Sequence, residues 1–326
     1  MRVLVTGGAG YIGSVTAHMM AAEGFQVLVA DNLSKGHRAA VGSLDLEVVD
    51  IEDAAQIAGS CRRFKPDACL HFAARSLVGE SKLAPLDYFR TNVSGTTNLL
   101  EALIAAGCRR LVFSSTAAVY GEPARVPILE TDAKEPINPY GQTKLVVEGM
   151  LEELERAGEM RYATLRYFNA AGADNDASLG EDHHPETHLI PKVIAAALGK
   201  EPVVFVYGTD YPTPDGTCIR DYVHVTDLAR AHVLALERID DEGGAFNLGN
   251  GAGFSVRQVI EAVRKESGRE FDVSEGPRRE GDPSALTASS ERISSVLGWR
   301  AEFPDIEGIV GSAWRWHSEH PDGYQA

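Results

Sequence analysis

The sequence predicts an α/β protein with a doubly wound parallel sheet and a smaller α/β domain that follows it. In the first half of the chain, apolar runs of strand length alternate with amphipathic patterns of helix length. The apolar runs are continuous, which is typical of strands in a parallel sheet that is covered on both faces. The first run leads directly into a glycine-rich loop, as in open α/β sheets that bind ligands at the carboxyl ends of their strands.

The first half of the chain supplies most of the predicted sheet. The predicted strands lie at residues 1–6, 26–31, 46–50, 68–72, 110–115 and 161–168. The predicted helices between them lie at residues 11–23, 53–63, 86–106 and 139–156. Because parallel strands need crossover connections, this order predicts a single sheet with helices on both faces.

The second half is less regular. Residues 174–187 are polar and rich in Gly, Asp and His, and residues 207–217 carry turn signals. The elements predicted here are helices at 189–198, 226–237, 255–266 and 289–297 and strands at 203–206 and 245–248. We therefore predict two domains, residues 1–169 and residues 170–326, with one or two segments of the second returning to the sheet.

Charge and hydropathy exclude several classes of function. The 326 residues carry a formal charge of −16, which argues against nucleic acid as a partner, since binding phosphates needs clustered Lys and Arg. No run approaches 18 uncharged apolar residues, so no membrane span is predicted. A small anionic substrate is compatible with this charge if cations are concentrated locally. Arg220, Arg278 and Arg279 are the candidates for that role.

The cysteines favour a reducing compartment. Cys61, Cys69, Cys108 and Cys218 lie far apart, with no C-x-x-C pair. This spacing excludes a zinc ribbon or a redox pair and predicts reduced thiols in a cytoplasmic protein, so we expect no metal site. Because a predicted strand occupies residues 1–6, we also expect no signal peptide.

The glycine-rich loop after the first strand is suited to a dinucleotide. Gly7 permits the tight turn, Gly10 lets the backbone approach a pyrophosphate, and Gly13 lets the helix pack on the strand. Tyr11 opens the following helix, whose N-terminal N–H groups favour an anion. The order of strand, loop and helix is the context that this motif requires.

The acidic residue at the end of the second predicted strand indicates which dinucleotide binds. Asp31 lies 18 residues after Gly13, where a carboxylate accepts the hydroxyls of an adenine ribose and repels a 2′-phosphate. This position favours NAD over NADP, although Lys35, His37 and Arg38 follow closely. Asp50 ends the next predicted strand, where it would meet the adenine.

The string Tyr140-Gly-Gln-Thr-Lys144 predicts a proton-transfer site. Asn138 and Pro139 are helix-start signals, so Tyr140 and Lys144 lie one turn apart on one helix face. A phenol that acts as a base near neutrality needs its pKa lowered by roughly 3 units, or about 4 kcal/mol. An ammonium at ~4 Å with an effective dielectric of ~20 supplies about 4 kcal/mol. With the glycine loop, the pair indicates an enzyme that removes a hydride and a proton from a sugar or alcohol carbon.

A hydroxyl residue at the end of a strand completes the predicted site. Residues 111–116 end in Ser114, Ser115 and Thr116, at the sheet edge where ligands bind in open α/β proteins. A hydroxyl there can bond the reacting oxygen and share its proton with Tyr140. We assign this role to Thr116, because the two serines are suited to capping backbone groups.

These residues resemble the extended short-chain dehydrogenase/reductases and, within them, the UDP-glucose 4-epimerases. The resemblance covers nearly the whole chain, and the 18 residues from Asp210 to Asp227 are its most specific part. The matching stretches are HFAA (71–74), VGES (78–81), SSTAAVYG (114–121), YFNAAG (167–172), DYPTPDGTCIRDYVHVTD (210–227) and RREGD (278–282).

The resemblance implies a Rossmann sheet, tightly held NAD⁺ and a 4-keto intermediate. Tyr140 would take the proton of the C4 hydroxyl as hydride leaves that carbon. Thr116 would orient the hydroxyl, and Lys144 would lower the pKa of Tyr140 and hold the nicotinamide ribose. The keto sugar would then turn and receive hydride on its other face. By the same resemblance, the residues in contact with NAD would be Gly7, Gly10, Tyr11, Ile12, Gly13, Asp31, Asn32, Asp50, Ile51, Phe72, Ala73, Ala74, Asn92, Tyr140, Lys144 and Tyr167.

The resemblance also implies how a UDP-sugar would bind. Arg220 and Arg279 would grip the diphosphate as charge-assisted donors. Asp282 would meet the uridine ribose and Tyr207 the uracil. The other substrate contacts would be Thr116, Asn169, Leu189 and Leu286. Family resemblance further suggests a homodimer formed through the helices at 86–106 and 139–156.

Two positions depart from the pattern of the family. Ser76 stands where many members have a Lys that helps to hold NAD or phosphate. Leu286 stands where some members have a bulky Tyr that restricts the sugar pocket. The smaller side chain leads to an alternative hypothesis, in which the enzyme also interconverts the N-acetylated sugars UDP-GlcNAc and UDP-GalNAc.

Other reactions on this fold need residues that the chain lacks or barely offers. Nucleotide-sugar 4,6-dehydratases need a carboxylate pair after the strand Thr, and here Ala117 and Ala118 follow Thr116. UDP-glucuronate 4-epimerases and decarboxylases need a cation for the sugar carboxylate, for which Arg75 is the nearby candidate. A non-catalytic NAD sensor would usually lack the Tyr140–Lys144 pair.

Overall fold

The computed structural model describes residues 1–251, 253–279 and 282–325. Glu280 and Gly281 of the RREGD stretch lie outside the described residues. The strands are β1 (Arg2–Thr6), β2 (Gln26–Asp31), β3 (Asp45–Val48), β4 (Ala68–His71), β5 (Arg110–Thr116), β6 (Arg161–Tyr167), β7 (Asn169–Ala171), β8 (Val204–Tyr207), β9 (Ile219–Arg220), β10 (Tyr222–His224), β11 (Gly244–Leu248), β12 (Phe254–Ser255), β13 (Val273–Gly276) and β14 (Ala285–Leu286).

Helices alternate with strands over the first half of the chain and continue through the second half. A π-helical segment, Phe89–Gly95, lies between the helices Pro85–Tyr88 and Thr96–Ala105, and a 3₁₀ turn, Ala117–Tyr120, follows β5. The α-helices are α1 (Tyr11–Ala22), α2 (Arg38–Val41), α3 (Ala54–Phe64), α4 (Val78–Leu83), α5 (Pro85–Tyr88), α6 (Thr96–Ala105), α7 (Pro139–Arg156), α8 (Leu189–Ala197), α9 (Val225–Arg238), α10 (Val256–Ser267), α11 (Glu291–Leu297) and α12 (Ile306–Glu319).

The central sheet confirms the predicted doubly wound fold. In the described part of the chain it contains seven parallel strands in the order β11-β6-β5-β4-β1-β2-β3. The chain winds outward from β1 to β3, then crosses to β4 and winds the other way. The carboxyl ends of β1 and β4 therefore form the switch point at which such sheets bind ligands. Strand β11 reaches this sheet from the second half of the chain and pairs with β6.

Both faces of the sheet are buried, as the continuous apolar strands predict. Val3 and Val5 of β1 belong to a cluster that includes side chains of α1, α9 and α11. Leu4 points to the other face, into a cluster with side chains of α3, α6 and α7. Successive residues of a strand face opposite sides, so one apolar run serves both helical layers.

The second half builds its own core around α8, α10 and α12. Ile190, Val259, Ile309 and Val310 are among its buried residues. Short strands surround this core, with β8 paired to β13 and β9 lying between β12 and β14. The sequence analysis missed α12, in which Gly308 and Gly311 lower the local helix propensity. Packing against α8 and α10 offsets that loss.

The predicted helix at residues 86–106 is interrupted rather than continuous. Phe89–Gly95 adopts π-helical hydrogen bonding, and Asn92 at its centre is buried. Its side-chain amide donates to the Arg75 carbonyl and to Thr143, and its oxygen accepts from the Arg75 N–H. A π-helical turn places a side chain where a regular helix would not, and such turns are frequent near functional sites.

A buried ion pair joins α7 to the sheet. Arg166 of β6 and Glu148 of α7 are 2 % and 3 % exposed, and Arg166 donates twice to the Glu148 carboxylate, at 2.9 and 2.6 Å. Glu148 also accepts from Ser115 at 2.6 Å, and Arg166 donates to the hydroxyl of Tyr120 at 2.7 Å. With this many partners, both charges are satisfied inside the core.

Removing one partner of this pair should destabilise the protein strongly. We expect Glu148→Gln to lower the free energy of unfolding by about 3–5 kcal/mol, because it leaves the Arg166 charge buried without its counterion. Glu153→Gln on the same helix is the matched control, since Glu153 pairs with Arg156 at the surface. Urea denaturation of both variants checks this. Equal midpoints would show that the pair does not hold α7 in place.

Candidate active site

In the loop after β1, close packing requires glycine at two positions, independently of any ligand. Gly7 has φ +73°, and a Cβ there would lie 2.4 Å from the Ala73 nitrogen. A Cβ at Gly13 would lie 2.2 Å from the Gly7 carbonyl oxygen. Since real Cβ contacts are never this short, larger side chains would displace the loop from β4 or α1.

Gly10 differs from these two glycines because its open side faces away from protein. A Cβ there would meet only the Gly7 oxygen, at 3.3 Å. Gly10 is also the N-cap of α1 and contributes no side-chain cap, so N–H groups of the first turn remain available to a ligand. The loop is thus suited to the phosphates of a dinucleotide. Among the neighbouring predicted contacts, Tyr11 is buried and Ile12 is half-buried.

Asp31 stands at the end of β2 with its carboxylate held in place. Its two oxygens accept from the N–H groups of Ala9, at 3.0 Å, and Leu33, at 2.8 Å. Burial raises the pKa of this carboxyl, against a partial lowering by these two hydrogen bonds. Each oxygen keeps a free lone pair, which suits the two hydroxyls of a ribose. The adjoining predicted residues also come together, since Asn32 donates to Asp50 at 3.1 Å and Ile51 follows.

The predicted cofactor residues after β4 line the same edge of the sheet. Phe72, Ala73 and Ala74 are half-buried, and the Phe72 ring packs against His232 with centroids 4.6 Å apart. Asn92 has every polar atom of its amide bonded within the protein, so it supports the backbone at Arg75. The second lone pair of its side-chain oxygen remains as an acceptor for a cofactor.

The helix α7 carries Tyr140 and Lys144 on one face, as the spacing predicts. The Asn138 side chain caps it by accepting from the Gly141 N–H at 2.9 Å. The Lys144 ammonium is buried, donates to the Ser114 carbonyl at 2.7 Å and lies 4.7 Å from the centre of the Phe113 ring. Both residues therefore lie over the carboxyl end of β5.

The expected lowering of the Tyr140 pKa is not present in the chain itself. Burial raises the pKa of Tyr140 to about 12, against a smaller lowering by a hydrogen bond with Thr116. Burial also lowers the pKa of Lys144 to about 7, against a smaller raising effect of Glu148. Our estimate from the sequence counted the attraction between the charges and omitted the cost of burying them. A base at Tyr140 needs positive charge from a bound group.

The three hydroxyl residues at the end of β5 have different surroundings. Ser114 shares a short hydrogen bond with the hydroxyl of Tyr167, and Ser115 donates to Glu148. Thr116 accepts from the Ala118 N–H at 3.2 Å, which leaves its own proton for another acceptor. The structure brings Thr116 beside Tyr140, whereas Ser115 belongs to the support of α7.

A cavity of about 460 Å³ is lined by residues from Asn169 onward, including residues of β7, α8 and β8. Six of the residues predicted to bind substrate line it: Asn169, Leu189, Tyr207, Arg220, Arg279 and Asp282. The sequence analysis missed further lining residues, among them His188, Lys192 and Phe205. The polar composition of residues 174–187 signals only part of that wall, to which this stretch contributes Glu181 and Thr187.

The two arginines of this cavity already have partners within the protein. Arg220 forms an ion pair with Asp282 and donates to the carbonyl oxygens of Ile219 and Pro283. The Arg279 guanidinium lies over the Tyr207 ring, 4.3 Å from its centre. A bound diphosphate would therefore exchange one set of contacts for another. In an acidic chain, these two arginines concentrate positive charge where an anion would enter.

The two departures from the family pattern lie in different surroundings. Leu286 packs with Val119, Tyr120 and Ile128 and is not among the described residues that line the cavity. The structure therefore gives no direct support to its predicted role as a substrate contact. Ser76 is exposed, beside the Arg75 backbone that Asn92 holds.

Comparison with known proteins agrees with this geometry. Residues 3–249 match the model of the NAD dependent epimerase/dehydratase family. A UDP-glucose 4-epimerase of Halalkalibacterium halodurans is 50 % identical over 326 residues, covering 99 % of this chain and 98 % of that protein.

Solved structures agree over the whole chain as well. A UDP-glucose 4-epimerase from Brucella ovis in complex with NAD is 48 % identical, with a TM-score of 0.93 over 97 % of this chain and 98 % of the other. A UDP-glucose 4-epimerase from Bifidobacterium longum in complex with NAD⁺ and UDP is 36 % identical, with a TM-score of 0.94 over 99 % and 100 % of the two chains. With its glycine loop, its Tyr140–Lys144 pair and this breadth of similarity, the chain belongs to the NAD dependent epimerase/dehydratase family.

Proposed function

We propose that this enzyme interconverts UDP-galactose and UDP-glucose, with NAD as a resident cofactor. The observation that carries the proposal is that Tyr140, Lys144 and Thr116 meet at the carboxyl end of β5, in a chain that also has a glycine loop and a cavity lined by two arginines. The similarity to UDP-glucose 4-epimerases over the full chain supports the same reaction. In this proposal, residues 1–169 hold the cofactor and most of residues 170–326 hold the nucleotide sugar.

The residues at the sheet edge fit NAD. The glycine loop and the α1 N-terminus would bind the pyrophosphate. Asp31 would bind the adenine ribose, and Asp50 and Asn32 would lie beside the adenine ring. Phe72, Ala73 and Ala74 would follow the cofactor towards Tyr140. When bound, NAD accepts hydride from C4 of the sugar and returns it. The free lone pairs of Asp31 favour a ribose without a 2′-phosphate.

Tyr140 would hold and return a single proton. Its hydroxyl lies beside Thr116, which would donate to the C4 oxygen and keep that oxygen in line with the phenol. Lys144, fixed by the Ser114 carbonyl, would keep its donors near the same point. General acid–base catalysis of this kind contributes about 10²–10⁴ to a rate. Because the same phenol would give the proton back, no second acid is required.

The cavity would bind the substrate mainly through its nucleotide. Arg220 and Arg279 would leave Asp282 and the Tyr207 ring to grip the diphosphate by charge-assisted hydrogen bonds. Tyr207 would then be free to stack on the uracil, and Asp282 to accept from the ribose. Binding energy held in the nucleotide would leave the sugar free to present either face of C4 to the cofactor.

The structure favours this reaction over the alternatives. Ala117 and Ala118 form the first turn after Thr116, so no carboxylate follows it to serve a dehydratase. Arg75, the cation considered for a glucuronate, pairs with Glu80. Leu286 is not among the described residues that line the cavity, so the cavity lining gives no support to the N-acetylated sugars.

The four cysteines are buried free thiols, which supports the proposal of a cytoplasmic enzyme. Over the described residues, no helix combines the length and the apolar character needed to cross a bilayer. We also infer a homodimer in which exposed leucines beside α7 are covered. Leu83 and Leu86 are 87 % and 74 % exposed at the ends of α4 and α5, and α4 and α5 contact α7.

The direct test of the function is an assay with UDP-galactose and no added cofactor. We expect UDP-glucose to form, because NAD bound during expression would serve every turnover. Loss of activity from a preparation that retains NAD would refute the proposed reaction.

The phenol of Tyr140 should be essential for turnover. We expect Tyr140→Phe to lower kcat by about 10²–10⁴-fold, because no other group there takes the proton. Retained NAD, measured by absorbance after denaturation, would show that the site is intact. Tyr88→Phe is the matched control, since the Tyr88 ring lies 6.5 Å from that of Tyr140 and its hydroxyl bonds the Leu77 carbonyl. Equal losses in the two variants would count against Tyr140 as the base.

The pKa of Tyr140 should depend on the oxidation state of the cofactor. In the free protein it is raised to about 12, so the phenol stays neutral at physiological pH. The oxidised nicotinamide is cationic and favours the phenolate, whereas the reduced form is neutral. We expect phenolate absorbance to appear at lower pH with NAD⁺ than with NADH, and this difference to vanish in Tyr140→Phe. Identical titrations would mean that the charge comes from elsewhere.

The dimer contact can be tested at its exposed leucines. We expect the wild-type protein to sediment as a dimer and Leu83→Asp to sediment as a monomer, because a charge cannot be buried there without a partner. Val48→Asp is the control, since Val48 is 54 % exposed on β3 at the far edge of the sheet. A wild-type monomer, or a dimer that Leu83→Asp leaves intact, would remove the proposal.

A further inference from the structure

A cluster of two histidines and two glutamates lies in the polar segment before α8. It comprises Glu181, His183, Glu186 and His188, whose nearest nitrogen and oxygen atoms all lie within 4.8 Å of one another. The Nδ1 atom of His188 lies 2.7 Å from Glu181 and 3.0 Å from Glu186. The Nδ1 atom of His183 lies 3.0 Å from Glu181 and 3.9 Å from Glu186.

Among the described residues, no Lys or Arg forms an ion pair with the carboxylates of this cluster. The Glu181 side chain is 5 % exposed, and that of Glu186 is 23 % exposed. Across residues 1–251, 253–279 and 282–325, their ion-pair partners are the two imidazoles, and no Lys or Arg joins them. A positive charge between two such carboxylates offsets their repulsion, and either a protonated imidazole or a bound cation supplies it.

The donor set is that of a divalent first-row metal. Two imidazole nitrogens and two carboxylate oxygens are ligands that Zn²⁺ accepts, at about 2.0–2.2 Å each. Tetrahedral ligands at that bond length are about 3.3 Å apart. The four imidazole–carboxylate distances of the cluster, 2.7 to 3.9 Å, span this value. Small rotations of the four side chains would therefore close the site. Nothing in this set resembles the all-oxygen sites of Ca²⁺ or Mg²⁺.

Backbone N–H groups orient one of the ligands, and an aromatic ring packs against another. The Glu186 carboxylate accepts from the N–H groups of Thr187 and His188, at 2.6 and 2.7 Å. The His183 ring packs edge-on against Tyr11, which opens α1, with centroids 6.4 Å apart. Glu181 and His188 also form part of the cavity wall. The cluster thus joins the glycine-loop helix to the wall of the proposed substrate cavity.

We propose that Glu181, His183, Glu186 and His188 bind one divalent transition-metal ion of the Zn²⁺ class. The ion ties the segment 181–188 into one fixed wall of the cavity, so its role is structural and it takes no part in proton or hydride transfer. The sequence analysis predicted no metal, because it considered cysteine spacing and interpreted residues 174–187 as a loop. The proposal does not depend on which sugar the enzyme accepts.

Metal binding can be measured with Zn²⁺ alone. The protein would be treated with a chelator, returned to metal-free buffer and titrated with Zn²⁺ in competition with a chromophoric chelator. We expect one site per chain in the wild type, and at least 10-fold weaker binding in His183→Gln and in His188→Gln. His184→Gln is the matched control, because this neighbouring side chain is 86 % exposed and outside the cluster. We expect it to bind Zn²⁺ as the wild type does.

Two further measurements distinguish binding at this site from binding elsewhere on the surface, and weaker binding from misfolding of the variants. Zinc-edge anomalous diffraction should place the ion between the four side chains, and circular dichroism with retained NAD should show that the variants are folded. Wild-type protein without a stoichiometric site would overturn the proposal. Equal affinity in the wild type and in folded His183→Gln and His188→Gln would also overturn it. If His188→Gln fails to fold, Glu186→Gln at the half-exposed side of the cluster gives the same test.

Discussion

The candidate active site depends on how α7 is fixed against β5 and β6. Glu148 accepts two hydrogen bonds from Arg166 and one from Ser115, all inside the core. One turn earlier on the same helix, Lys144 reaches the Ser114 carbonyl. The buried charges thus fix the rotation and height of α7, and with them the place of Tyr140 beside Thr116. A purely apolar contact would hold the helix less specifically, because apolar packing has no fixed direction.

The same burial that fixes this helix also sets the charges of the site. Burial raises the pKa of Tyr140 to about 12 and lowers that of Lys144 to about 7, so both side chains are held towards their neutral forms. A neutral phenol cannot remove a proton from a sugar. The chain by itself therefore brings the catalytic side chains together but does not supply the charge that would make Tyr140 a base. In the proposed function, the positively charged nicotinamide ring of oxidised NAD would supply the missing charge, which would couple proton transfer to the oxidation state of the cofactor.

The sequence predicted the layout of the fold better than the state of the site. The strands with continuous apolar runs and the glycine loop follow from local rules, and Asn138 with Pro139 marked the start of α7. The π-helical turn around Asn92 and the helix α12 did not follow, since each depends on contacts with distant parts of the chain. The predicted lowering of the Tyr140 pKa was wrong for the same reason, because the desolvation that raises this pKa depends on the assembled core.

In the second half of the chain, the sequence predicted which residues line the cavity but not the contacts that these residues make with one another. Six predicted residues line one cavity, yet Arg220 is paired with Asp282 and Arg279 covers Tyr207. These contacts satisfy charge and aromatic surface within the protein. In the proposed function, a nucleotide diphosphate would become the partner of the arginines and would release Asp282 and Tyr207 for ribose and base. Specificity for the nucleotide would then arise from this exchange of partners, since a ligand lacking either the diphosphate or the base would leave one of these groups unpaired.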